Sequence, residues 1–329
     1  MMAAARNDNF VYRGGNQRVP DGVRRARIHK SVKIVRARAF QNRYKLIYVE
    51  FHDGVEIIED RAFKCCSRLQ SIKMLGVKII KQKAFSNCTR LTAVEFGDKL
   101  ETIERQAFND CTKLTDVEFG DKLETIEDRA FQNCKALKTI KMPSVRTVGS
   151  VAFGSCHGLS DVEFGEALGT LNEAAFTKCR NLKWITLPLK DNMIENRAFN
   201  NCPKLDTIDL VGGVHQTIAS LHMESWRNEM NNEINRINQT LPTVEQRGKT
   251  EAIKQWMRSN FRRLHSMLLK EATTLLELAL WKANLHDNNA DEDRAVRTEG
   301  EVESSRDEIR YTSGADIVIK NVLPFLALK

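Results

Sequence analysis

Residues 103–126 read IERQAFNDCTKLTDVEFGDKLETI, and variants of this phrase return along most of the chain. Its Ala-Phe pair recurs at 39–40, 62–63, 84–85, 107–108, 130–131, 152–153, 175–176 and 198–199, always 22 or 23 residues apart. Other positions travel with it. Three residues after the Phe stands Cys66, Cys88, Cys111, Cys134, Cys156, Cys179 or Cys202; only the first unit departs, with Arg43. Six residues after the Phe is always leucine, from Leu46 to Leu205. Nine after is Val or Ile, and eleven after is a large apolar residue such as Phe119 or Met142. Five before comes Val, Ile or Leu, from Val35 to Ile194. A fixed period in this range is the signature of stacked repeats.

The spacing has a physical meaning. The steps of three from Phe to Cys, Leu and Val suit tight turns or one loose helical turn. The closing step of two, Val117 to Phe119, is strand periodicity, and the β-branched residue agrees with a strand. Each unit is thus expected to be one coil with a short strand at Leu-x-x-Val-x-Phe and a second near Leu123–Ile126. One coil cannot bury its apolar side alone; stacking coils with strands about 4.8 Å apart makes a continuous core. The shorter units lose a residue just after the strand, where Leu75-Gly76 and Pro143-Ser144 replace Gly97-Asp98-Lys99. Length variation in a surface loop costs little.

The pattern Ile-x-x-x-Ala-Phe-x-x-Cys-x-x-Leu-x-x-Ile/Val resembles the BspA-like leucine-rich repeat family. The resemblance covers about residues 31–214. It implies a solenoid of short parallel strands in about eight coils, followed by an α-helical C-terminal region. In the better-known horseshoe repeats an Asn or Cys lies three residues after the last strand position. Here Lys122 holds that place after Phe119, which supports the BspA-like subtype.

All eight cysteines lie within the repeats, and seven share one equivalent position. Equivalent positions stack as a ladder, and thiolates strung along a line cannot surround one zinc tetrahedrally. The expected role of Cys66, Cys88, Cys111, Cys134, Cys156, Cys179 and Cys202 is that of small buried hydrophobes. Cys65 stands off the ladder and is the thiol expected to be exposed and open to reagents. The seven histidines are scattered, and no nucleophile elbow or phosphate-binding glycine loop occurs. No catalytic, cofactor-binding or metal-binding set is expected, and the chain reads as non-enzymatic.

Formal charge is +8. Residues 1–40 carry ten basic and two acidic side chains, 10 − 2 = +8, while residues 41–212 are nearly balanced. The N-terminus, MMAAARNDNFVYRGGNQRVP, shows no secretory apolar stretch, and no run is long enough to span a membrane. An intracellular, cytoplasmic setting is expected. Residues 1–30 read as a basic arm, either disordered or in its later part the polar first cap of the solenoid, 31–214 as the solenoid, 215–286 as helical, 287–310 as an acidic linker, and 311–329 as an apolar tail. The first helix is placed at about 219–239, before Leu241-Pro242. The second, over 249–286, carries an apolar run at Leu275–Trp281 that suits packing on the repeats or pairing with a second copy. Residues 268–282 and the 316–326 tail look similar to segments behind BspA-type repeats in microalgal proteins.

Strand alternation places Lys73, Glu95, Asp116, Glu118, Lys141, Asp161, Glu163, Trp184 and Asp209 on an outward face. The expected function is a protein-interaction scaffold binding through that face, its acidic stripe suited to a basic protein, with Trp184 as anchor. The alternative is binding of an anionic surface, nucleic acid or membrane, through Arg24–Arg38. The arm lacks aromatic interleaving and a recognised motif, which argues against nucleic acid as its partner.

Overall fold

The computed structural model describes residues 9–211, 224–264, 266 and 270. They fall in two compact units, Met1–Met257 and Arg258–Lys329. The first unit holds the solenoid and both of its ends. In the second, residues 258–264, 266 and 270 are helical.

Each of the seven coils that begin with β2 to β14 contributes a longer strand and a two-residue strand, and the end coils contribute the longer strand alone. The longer strands are β1 (Asn9–Tyr12), β2 (Arg25–Ile28), β4 (Tyr48–Glu50), β6 (Ser71–Met74), β8 (Ala93–Phe96) and β10 (Asp116–Glu118), followed by β12 (Thr139–Met142), β14 (Asp161–Phe164), β16 (Trp184–Pro188) and β17 (Thr207–Val211). They form a six-stranded and a four-stranded parallel sheet, divided between β10 and β12. The short strands β3 (Ile34–Val35), β5 (Ile57–Ile58), β7 (Ile79–Ile80), β9 (Thr102–Ile103), β11 (Thr125–Ile126), β13 (Thr147–Val148) and β15 (Thr170–Leu171) form a second, seven-stranded ladder. Both expected strands per coil are therefore present. The register pairs equivalent repeat positions, Ile72 with Val94 and Ile126 with Val148.

Between the two ladders the chain turns at Ala-Phe. Each coil has two residues with φ near +60° that flank this pair, such as Gln106 (58°) and Asp110 (61°). The second of these positions is Asn or Asp in five coils, the residues that best tolerate left-handed backbone. Each Phe N–H donates to the Ala carbonyl of the next coil, from Phe40 to Ala62 through Phe176 to Ala198. The phenyl rings from Phe40 to Phe199 stack face to face with centroids 4.7–6.0 Å apart.

The cysteine ladder is buried as expected, all seven thiols at 0% exposure. Each Sγ–H donates to the Phe carbonyl of the preceding coil at 3.1–3.3 Å, from Cys66 on Phe40 to Cys202 on Phe176. The thiol is thus a second donor to a carbonyl that already accepts from the backbone N–H three residues on, as Phe63 does from Cys66 N–H. Burial pushes the Cys66 and Cys156 thiols up to about 12, and those of Cys88, Cys111, Cys134 and Cys179 also upward. Arg43, which replaces the cysteine in the first coil, donates from Nε to the Val19 carbonyl at 2.7 Å and pairs with Asp21 at 3.0 Å.

At its N-terminal end the structure departs from the sequence expectation. The repeat signature starts near residue 31, yet β1 and β2 already belong to the parallel sheet, in register from Asn9–Arg25 to Tyr12–Ile28. From Asn9 onward the expected arm is built into the solenoid. Tyr12, Val19, Val23, Ala26 and Ile28 are buried although they lack the Ala-Phe mark. Tyr12 packs tilted against Phe40, ring centroids 5.2 Å apart, and its hydroxyl accepts from Arg36 N–H, closing the aromatic ladder. An exposed end coil would leave that core open to water, which is why terminal units of solenoids diverge from the repeat.

The C-terminal end is closed by helices. The first helix is Glu224–Thr240 and stops in a 3-10 turn, Leu241–Thr243, at Pro242. The second runs over 249–264. Phe199 N–H, which has no further Ala to reach, donates to Thr250 Oγ1 at 2.9 Å, and Asn201 N–H donates to the Gln246 carbonyl. Lys249 is 1% exposed and donates from Nζ to the Pro203 and Leu205 carbonyls at 2.9 and 2.5 Å. Trp256 Nε1 donates to the Glu233 carbonyl, tying the two helices together. The first helix packs against β17, and Gln246, Lys249 and Thr250 bond the last coil. The Leu275–Trp281 run, the acidic stretch and the apolar tail lie outside the described residues, as do residues 219–223 of the expected first helix.

Candidate interaction surface

Alternation along most long strands buries two rows and turns two outward. In β6 and β12 the pattern is exposed, buried, exposed, buried, so Ile72 and Met74 face the core while Ser71 and Lys73 face out. Stacking in register aligns the outward residues of successive coils into rows. The row after the buried Val or Ile reads Arg27, Glu50, Lys73, Glu95, Glu118, Lys141, Glu163, Thr186, Asp209. The row before it reads Arg25, Tyr48, Ser71, Ala93, Asp116, Thr139, Asp161, Trp184, Thr207.

The first row largely neutralises itself. Arg27 Nε meets Glu50 at 2.8 Å, Lys73 Nζ meets Glu95 at 2.6 Å, and Lys141 Nζ meets Glu163 at 2.7 Å. All six groups are well exposed, so each pair contributes little to stability, about 0–1 kcal/mol. The acidic stripe expected from the sequence is therefore mostly a ladder of paired charges. Glu118 is exposed, with no ion pair among the described residues, and Asp209 is exposed and accepts from Leu210 N–H.

The remaining expected residues divide. Asp161 is half-buried and accepts from the neighbouring Ser160 hydroxyl. Asp116 holds its ladder place opposite Ala93. Trp184 is half-buried rather than exposed, which weakens it as an anchor. Beside it Thr186 is buried, its hydroxyl accepting from Phe164 N–H and donating to the Phe164 carbonyl.

The structure gathers Lys73, Glu95 and Glu118 around one depression on the six-stranded sheet, of about 430 Å³. Tyr48, Glu50, Asp53, Ser71 and Ala93 complete its rim and floor. It exists because the outward row steps down from an exposed tyrosine to a serine and an alanine. Lys141, Asp161, Glu163, Trp184 and Asp209 lie on the other sheet and do not line it. The sequence reading did not single out Tyr48 and Glu50, although they flank Val49 as Asp116 and Glu118 flank Val117. Four carboxylates and one ammonium give the depression an acidic balance.

Among the described residues no group of three or more His, Cys, Asp or Glu is placed to hold a metal ion, and no helix is long and apolar enough to cross a membrane. All eight cysteines are free thiols.

The family model for the BspA type leucine rich repeat region matches residues 22–136 and 101–225, with six copies of the repeat. Among solved structures, a leucine-rich repeat protein from T. pallidum is 30% identical, with 49% of this chain and 77% of that chain covered at a TM-score of 0.45. A leucine-rich repeat protein from Bacteroides ovatus is 23% identical over 58% of this chain and 56% of that one, at a TM-score of 0.46. The pneumococcal vaccine antigen PcpA is 19% identical, covering 62% and 66%, at a TM-score of 0.29. No curated protein sequence matches the chain.

Proposed function

This chain belongs to the BspA-type leucine-rich repeat family, and from that premise we propose that it is a non-enzymatic scaffold that binds a protein partner through the outward face of its six-stranded sheet. The observation that carries this reading is the depression between Tyr48 and Glu118. It combines an exposed aromatic, small residues that let a partner approach the backbone, and a net acidic rim. That combination fits a lysine- or arginine-bearing segment with one side chain seated beside Tyr48. The pre-paired Lys73–Glu95 bridge gives the surface a fixed register of charge without leaving buried charges to compensate. Eight free thiols fit an intracellular, reducing setting.

The test is capture of partners by the intact chain against a Glu50→Lys, Glu95→Lys, Glu118→Lys variant. These side chains are exposed, so the fold should survive. Loss of specific partners from the variant supports the reading. An unchanged partner set removes the sheet face from consideration.

A further inference from the structure

The edge of the solenoid between the cysteine turn and the long strand carries a different charge pattern from the sheet. In each coil this edge is the four-residue stretch beginning four residues after the repeat Phe: 44–47, 67–70, 89–92, 112–115, 135–138, 157–160, 180–183 and 203–206. Together these stretches hold nine cations, Lys45, Arg68, Arg90, Lys113, Lys135, Lys138, Arg180, Lys183 and Lys204, and one acid, Asp206. Residues 41–212 as a whole are nearly neutral, so the edge, with 9 − 1 = +8, is balanced by a net acidic charge on the rest of this span.

All nine are exposed. Among the described residues none of them joins the ion pairs that neutralise the sheet face, and Lys204 bonds only the neutral Asn181 amide. Coils stack about 4.8 Å apart, so the array runs about 34 Å from the first coil to the last. His157 sits within it, and its basicity is lowered by burial and then by Arg180, Lys135 and Lys178. The exposed large apolar side chains among the described residues are Tyr44, on the first coil of this edge beside Lys45, and Tyr48, at the start of β4.

We propose that this edge binds single-stranded nucleic acid, with the cation row tracking the phosphodiester backbone and Tyr44 stacking on a base. A line of point charges on seven of the eight coils, broken only at His157, matches a linear polyanion. Single strands are held by such rows together with aromatic platforms. A protein interface has its core depleted of lysine and built on apolar anchors, which this edge lacks beyond its tyrosine end. The N-terminal Arg24–Arg38 segment is not part of the array, and the sheet-face reading stands or falls separately.

The experiment is fluorescence anisotropy of the intact chain with fluorescein-labelled oligo(U), titrated with salt. The variants are Lys45→Gln/Arg68→Gln/Arg90→Gln/Lys113→Gln, Arg180→Gln/Lys183→Gln, and Tyr44→Ala. Circular dichroism melting reports on the fold of each. The quadruple variant is expected to lose about tenfold or more in affinity, and its log affinity against log salt to flatten by about 3. The Arg180/Lys183 variant, at the other end, should lose less but flatten in proportion, and it decides the matter if the quadruple variant melts early. Tyr44→Ala should weaken oligo(U) and leave binding of the matching duplex unchanged. Absence of oligo(U) binding, unchanged affinity in a folded charge variant, or tighter binding to phosphatidylserine vesicles or polyglutamate than to oligo(U) overturns the proposal.

Discussion

The side-chain amide of Asn238 and the backbone of Ile208 exchange two hydrogen bonds. Asn238 Oδ1 accepts from Ile208 N–H at 2.8 Å, and Nδ2 donates to the Ile208 carbonyl at 3.1 Å. Ile208 lies on β17, the last strand of its sheet, where a further coil would otherwise supply both partners. One amide from the first helix stands in for that missing strand and blunts the edge.

Asn238→Ala should destabilise the chain by about 1–3 kcal/mol, because two buried backbone groups lose their partners. A urea melt followed by circular dichroism measures it. Asn238→Asp keeps the acceptor and loses the donor, and should fall between the two. A chain ending near residue 214 should be less stable still, since it also removes Lys249 and Thr250. A melt equal to that of the intact chain would show that the helices do not cap the repeats.

Alkaline pH should unfold the protein through the cysteine ladder. Burial raises six of its thiols, with Cys66 and Cys156 at about 12, against 9.0 for an ordinary thiol. Above pH 9 the unfolded chain gives up these protons and the folded chain keeps them, so stability falls as pH rises. It is fully present below pH 9 and is lost progressively toward 12. Each such thiol contributes a slope of about 1.4 kcal/mol per pH unit in that window. Urea midpoints at pH 8, 9 and 10 check this, and Cys134→Ala should shallow the decline while lowering stability at every pH.

Thiol reagents should modify the native chain at Cys65 alone. Cys65 is half-exposed and the seven ladder thiols are fully buried. Mass spectrometry after brief treatment with N-ethylmaleimide should find a single adduct, with eight after unfolding in guanidinium. Rapid native labelling of several ladder positions would contradict the stacked core.

Val151→Asn should stabilise the protein by about 1 kcal/mol, read as a rise in melting temperature. Val151 holds φ at 57°, left-handed backbone that a β-branched residue strongly disfavours. Its neighbour Gly154 has no room for a side chain, because an added Cβ would lie 2.3 Å from Val151 Cγ1. Gly154→Ala should therefore destabilise the wild type and be tolerated beside Val151→Asn, a coupling that a double-mutant cycle measures.

The repeat was legible because its residues answer to one local rule copied eight times. The Ala-Phe turn, the buried cysteine and the two strands per coil all follow from the period, and each stands in the structure where the period puts it. Most outward positions were legible too, since alternation sets which residues leave the core, but in β16 Thr186 is buried and Trp184 half-buried. What alternation could not show is how outward residues treat each other across coils. Lys73 and Glu95 lie 22 residues apart in the chain and 2.6 Å apart in space. Such pairing turns most of an apparent acidic stripe into paired charges, leaving Glu118 and Asp209.

The sequence by itself determined the solenoid, its subtype and the fate of the cysteines, because each coil packs on a near-copy of itself and periodicity records that packing directly. Only the tertiary structure decided where the solenoid ends and which charges remain free. Its first coil is sealed by Tyr12 on Phe40, and its last by Asn238 on Ile208 and Lys249 on Leu205. These contacts span 28, 30 and 44 residues with no period to announce them. A cap must satisfy one irregular edge with whatever groups reach it, and such a fit is a property of the folded chain, not of a repeated word.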